Sequence, residues 1–125
     1  DCDGVDLTCN SAQRINGKWS GETSQHHPIY FSVSDNLIMT FEYTITIPGI
    51  VTMTTEISGS PFLEKIDSNN QFSISSNYSY GSYWNLKNGE VTFNGKFSND
   101  SECAGTFLID DPAGTITGRW NAIVE

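Results

Sequence analysis

The histidine pair His26-His27, directly before Pro28, is where acid–base or metal chemistry would have to begin, because these are the chain's two histidines. Neighbouring residues on a strand point to opposite faces, so a regular strand keeps the pair from sharing one ion; only a turn would let them converge. No cysteine or carboxylate adjoins them to complete a ligand set, and they read as an exposed polar loop. Hard-cation chemistry has its candidates in Asp1, Asp3 and Asp6, grouped around Gly4, where calcium is the ion that several carboxylates on a tight turn would take. The twelve-residue calcium-loop pattern is missing. Asp35, Asp67, Asp100, Asp110 and Asp111 fall in turn-like clusters, where local backbone hydrogen bonds account for an aspartate. Hydrolysis of a glycosidic bond needs two carboxylates projecting into one cleft, whereas the strand-borne acids Glu22, Glu42, Glu56 and Glu90 all fall on polar faces. No phosphate loop, nucleophile elbow or zinc spacing is present, so the expectation is a protein without catalytic residues.

Binding chemistry has a clearer candidate. Tyr78-Ser79-Tyr80-Gly81-Ser82-Tyr83-Trp84-Asn85 is the densest aromatic patch, and exposed rings among Asn and Ser suit pyranose stacking or a protein contact. Alternation assigns Tyr78 and Tyr80 to the side of Phe72 and Ile74, leaving Tyr83 and Trp84 as the contact residues. Asn77-Tyr78-Ser79 and Asn99-Asp100-Ser101 are glycosylation sequons, with Asn77 and Asn99 as acceptors. Cys2, Cys9 and Cys103 are disulfide candidates; a bond from either tail cysteine to Cys103 would close a long loop and leave one thiol, free or bridged to another copy.

Elements must hold these residues in place, and their pattern has a period of two. Ile29, Phe31 and Val33 alternate with polar residues, as do Leu37, Met39, Phe41, Tyr43, Ile45 and Ile47. Val51, Met53 and Ile57 follow the Pro48-Gly49 turn; Phe72 and Ile74 follow Asp67–Asn70. Asn88-Gly89 reads as a type I′ hairpin turn ahead of Val91, Phe93 and Phe97. Cys103, Phe107 and Ile109 come next, then the Asp110–Gly114 turn, then Ile116, Trp120, Ala122 and Val124. With Trp19 in a first strand, this predicts an all-β antiparallel sandwich of about nine strands, with a meander barrel of the avidin/lipocalin kind as the alternative. Residues 1–16 lack strand pattern and are expected to be a tail, tethered by a disulfide or by a neighbouring molecule. Residues 17–125 would form the single β-domain.

Composition narrows the partners. Fifteen acidic against six basic residues give a net charge of −9, which repels nucleic acid and anionic membranes alike. No apolar run approaches the roughly 20 residues of a membrane-spanning helix. Only 17% of residues are charged, against about 25% in an average soluble protein, and Ser, Thr and Asn fill the polar positions in the manner of extracellular β-proteins. The chain starts at Asp1 without a basic or apolar leader, which reads as a mature secreted form after signal removal.

The segment Gly17-Lys18-Trp19-Ser20-Gly21-Glu22-Thr23-Ser24-Gln25, followed by Ile29–Ser34, resembles a group of exported bacterial domains of unknown function that open with W-S-G-x-T-S-Q and an I-x-F-x-V strand. The likeness runs loosely from Gly17 to Val124 and includes Gly105-Thr106-Phe107 and the last Trp strand. It implies an exported β-domain and no activity. Gly17-Lys18-Trp19 and Gly118-Arg119-Trp120 also resemble, in outline, the avidin and lipocalin barrels, where the first-strand Trp lies beneath a basic side chain; Trp19 and Arg119 would be that pair. Gly21 and Gln25 stand near the places of the biotin-binding Asn and Ser, so the resemblance does not extend to biotin. The function expected on these grounds is a non-enzymatic structural or adhesive module of an extracellular surface assembly or filament, partnered by itself or another surface protein. The alternative is a carbohydrate- or small-ligand-binding β-domain.

Overall fold

The computed structural model describes residues 16–125. Nine antiparallel strands, with no helix among the described residues, form one continuous sheet. They are β1 (Gly17–Thr23), β2 (Pro28–Ser34), β3 (Leu37–Ile47), β4 (Val51–Ser58), β5 (Glu64–Lys65), β6 (Gln71–Ser82), β7 (Asn85–Phe97), β8 (Glu102–Asp111) and β9 (Gly114–Val124). The spatial order is β4-β3-β2-β1-β9-β8-β7-β6, with the two-residue β5 set on the β3 edge at Leu37 and Ile38. This is the barrel-like alternative rather than two separate sheets: β1 and β9 pair from Trp19↔Val124 to Thr23↔Trp120, so the sheet runs unbroken through the place where a sandwich would divide. The barrel is nearly closed, and the gap lies between β4 and β6.

Alternation drives the closure. The inward rows Phe41, Tyr43, Ile45 and Ile47 on β3 and Val91, Phe93 and Phe97 on β7 are at most 3% exposed, and meet Trp19, Phe31, Phe72, Phe107 and Trp120 in one core. Each such side chain contributes on the order of 1.5–3 kcal/mol by leaving water. Phe31 and Trp19 stack at 5.8 Å, while Phe41 and Tyr43 reach across the interior to Phe93 at 5.1 and 5.0 Å.

Two sequence expectations are corrected. Strict alternation from Leu37 would bury Met39, yet Ile38 is the buried residue. The pairing steps from Val33↔Ile38 to Ser32↔Thr40, so Met39 is the extra residue of a β-bulge that resets the phase before Phe41. Asn88-Gly89 is not a turn. It lies within β7, with Gly89 opposite Tyr78, because a side chain at Gly89 would overlap the Tyr78 ring. Gly95 lies in the same way beneath Phe72 and Trp120. The true turn is Tyr83-Trp84, between the pair Ser82↔Asn85.

Candidate functional site

Strand direction gathers four turns at one end of the barrel: Ser24–His27, Pro48–Ile50, Tyr83-Trp84 and Pro112-Ala113. The β6–β7 hairpin projects furthest there. It is paired without a break from Gln71↔Lys96 to Ser82↔Asn85, whereas β8 accompanies β7 only as far as Glu90↔Asp110. Residues 85–89 are therefore held by β6 alone.

A buried cluster anchors this overhang. Tyr78 donates its hydroxyl to Asp111 Oδ2 at 2.7 Å, Tyr80 donates to Oδ1 at 2.9 Å, and the Ala113 amide donates to Oδ1 at 2.9 Å. Asp111 is 5% exposed. Burial pushes its carboxyl up, but the Ala113 amide, the two tyrosine hydroxyls and the Lys87 charge outweigh this and leave it below the usual carboxylate range. Burial first, and then the Asp111 carboxylate, raise the phenols of Tyr78 and Tyr80. The two tyrosine rings stack at 6.2 Å, with Gly89 leaving room for Tyr78. Every donor and acceptor of the cluster serves to fix the hairpin to the β8–β9 turn.

At the tip of the clasped hairpin, Tyr83 and Trp84 are each 89% exposed, their rings edge to face at 4.9 Å. Leu86 and, on the β3–β4 turn, Ile50 are also exposed. Between the turns lies a cleft of about 520 Å³, walled by Ile50 and Val51 on one side, by Tyr80, Ser82, Asn85 and Lys87 on the other, and floored by Pro112 and Ala113. It is the upper part of the gap between β4 and β6. The sequence singled out Tyr83 and Trp84, and the structure exposes both. It missed the tyrosine–Asp111 clasp, since Asp111 read as a turn residue. The available signal was the inward parity of Tyr78 and Tyr80, whose hydroxyls need partners once buried.

The other candidates do not converge on this place. His26, at φ 64°, is exposed near Glu22 at 3.9 Å, while His27 Nε2 lies 2.7 Å from Thr46 Oγ1. Gln25 serves the fold: its Nε2 donates to the Thr46 carbonyl and its Oε1 accepts the Thr46 amide, both at 2.9 Å, replacing a strand partner beyond Ile29↔Tyr43. Trp19 and Arg119 lie on opposite faces of the sheet, Trp19 inside and Arg119 outside, and do not form the expected pair. Cys103 is a free, buried thiol pushed up to about 12 by burial, against the lowering effect of the Lys96 and Ala104 amides. No disulfide is seen among the described residues. Asp1, Cys2, Asp3, Asp6 and Cys9 lie outside the described residues. Among the described residues, no three His, Cys, Asp or Glu side chains are grouped to hold a metal. Asn77 is exposed on the outer face of β6, and Asn99 lies in the β7–β8 turn, where its Oδ1 accepts the Ser101 amide and hydroxyl. Glu42 and Glu56 stand directly opposite one another on the outer face, as do Glu90 and Asp110, so none of these acids lines the cleft. No helix among the described residues is long and apolar enough to cross a membrane.

Compared with protein-family models, curated proteins and solved structures, the chain matches none of them.

Proposed function

We propose that the chain is a non-enzymatic adhesive module of an exported surface, which holds neutral carbohydrate at the Tyr83-Trp84 tip. One observation carries this reading: two large aromatic rings stand almost wholly in water at the end of a hairpin that is rigidly clasped. Exposed apolar area is unfavourable unless a partner covers it, and a clasped support lowers the ordering cost of binding. The chemistry around the rings favours a sugar. No charged residue lies between Ser68 and Leu86, and Ser82 and Asn85 supply hydroxyl and amide groups beside the aromatic faces. Pyranose C–H faces stack on such rings while their hydroxyls need uncharged hydrogen-bonding neighbours.

Trp19 and Trp120 are buried, so Trp84 is the solvent-exposed emitter. Titration with soluble neutral β-glucan, xylan and mannan is expected to give saturable quenching of that emission with one of them. Trp84→Ala should weaken binding at least about tenfold, the equivalent of about 1.4 kcal/mol, with an unchanged melting temperature. Absence of saturable binding to every polysaccharide, or equal binding by Trp84→Ala, would refute the proposal.

A further inference from the structure

We infer that the two open edges of the sheet join copies of this chain, β4 of one pairing with β6 of the next, into a linear polymer. β4 and β6 end the strand order and do not pair with each other. Among the described residues, each therefore has no strand paired along the length of its outer side. Soluble β-proteins blunt such edges with lysine, proline, bulges or very short strands. Neither edge here carries any of these: β4 has eight residues and β6 twelve, both without Lys, Arg or Pro, and both keep an unbroken register with their inner neighbours.

Charge is sparse on the same two strands. In a chain of net charge −9, no Asp, Glu, Lys or Arg occurs from Tyr43 to Thr55 or from Ser68 to Leu86. Glu56 is the single charge on β4, and β6 has none. Two copies can therefore approach edge to edge where most other approaches bring carboxylates together.

Packing gives the third reason. On β3 the inward residues Phe41, Tyr43, Ile45 and Ile47 are at most 1% exposed, yet their β4 neighbours Val51, Met53, Thr55 and Ile57 are only half-buried. That row lacks a strand beside it. β6 presents a matching alternation of Phe72, Ile74, Ser76 and Tyr78 on its inner face. Within one copy the two edges are kept from meeting, because β5 pairs with β3 in line with β4 and lies beside the start of β6. A second copy supplies to each edge the strand it lacks, with the alternation in phase. Because the joint uses two different edges, every added copy leaves one of each free, and the assembly extends rather than closing as a dimer. This inference does not rest on sugar binding, and Trp84→Ala is expected to polymerise like the parent chain.

Sedimentation of the full chain over a concentration series should show a ladder of dimers, trimers and longer species. Thr55→Lys, blocking β4, and Ser73→Lys, blocking β6 from its exposed face, should each sediment as a monomer while melting as folded proteins. Their equimolar mixture should give dimers and nothing longer, because one intact β4 then meets one intact β6. Excess synthetic peptide of the sequence Val51–Ser58 should shorten the parent polymer without any substitution. A parent chain that stays monomeric at millimolar concentration, a ladder untouched by both substitutions and by the peptide, or dimers that survive Ser73→Lys but not Thr55→Lys would each overturn the inference.

Discussion

Asp111 shows how much one residue's surroundings can change its meaning. In sequence it is the second acid of a turn; in the barrel it is a buried carboxylate with three donors. The two tyrosines contribute unequally. Oδ2 receives only Tyr78, which is buried, whereas Oδ1 keeps the Ala113 amide if Tyr80 is lost. Tyr78→Phe is therefore expected to cost about 1–3 kcal/mol, and Tyr80→Phe clearly less, as measured by urea unfolding. The pH dependence has two limbs. Asp111 is held below the ordinary carboxylate value of 3.8, so its contribution is present above that value and is lost as pH falls through the folded-state value. Tyr78 and Cys103 are shifted upward, so the folded state keeps protons that the unfolded chain releases. Their contribution is complete below the ordinary thiol value of 9.0 and phenol value of 10.0, and stability declines as pH rises above them, for Cys103 up to about 12. Unfolding midpoints measured between pH 8 and 12 should fall steadily, and Cys103→Ala should flatten the first part of that decline.

The element in which these contacts matter is the β6–β7 hairpin, whose far half has no support from β8. Gly89 is the test of why Asn88-Gly89 is strand rather than turn. Gly89→Ala places a methyl group against the Tyr78 ring, so it should destabilise the hairpin by about 1–3 kcal/mol and loosen the Asp111 bonds, seen as faster amide exchange in residues 77–89. Had the pair been a type I′ turn, the same change would act through backbone strain at a positive φ, yet Gly89 is absent from the positive-φ glycines. Most elements were legible because period-two alternation marks a strand that faces a core on one side. Ile29–Val33, Phe41–Ile47 and Cys103–Ile109 all bury the residues that alternation selects. What alternation cannot carry is a change of phase or a long-range fit. The Met39 bulge depends on the partner strand, and Gly89 on a tyrosine eleven residues earlier. The choice between sandwich and barrel depended on whether β1 meets β9, a pairing across the whole chain that no local pattern encodes. The exposure of Tyr83 and Trp84 was legible because local composition marked them, whereas their anchor, assembled from β6 and β8, was not.

At the scale of the whole molecule, acids of neighbouring strands meet on the outer face, where Glu42 is set directly against Glu56 and Glu90 against Asp110. Like charges opposite one another on adjacent strands are destabilising, and a net charge of −9 adds a diffuse repulsion that opposes the compact state. Salt screens both, since the Debye length shrinks from about 30 Å at 0.01 M to about 3 Å at 1 M. The melting temperature should therefore rise from 10 mM to 500 mM NaCl, by about 4 °C for each kcal/mol of repulsion relieved. Glu56→Gln should reduce that rise by removing one opposed pair. The same screening bears on assembly. Copies that repel at a distance but meet along strands with no ion pair to lose gain approach without losing contact energy, so the sedimentation ladder should lengthen as salt increases. Joints built on ion pairs would respond in the opposite sense and dissociate in salt. A ladder that shortens between 10 mM and 500 mM NaCl would therefore place the contact on ion pairs, away from the β4 and β6 edges, which carry Glu56 as their one charge.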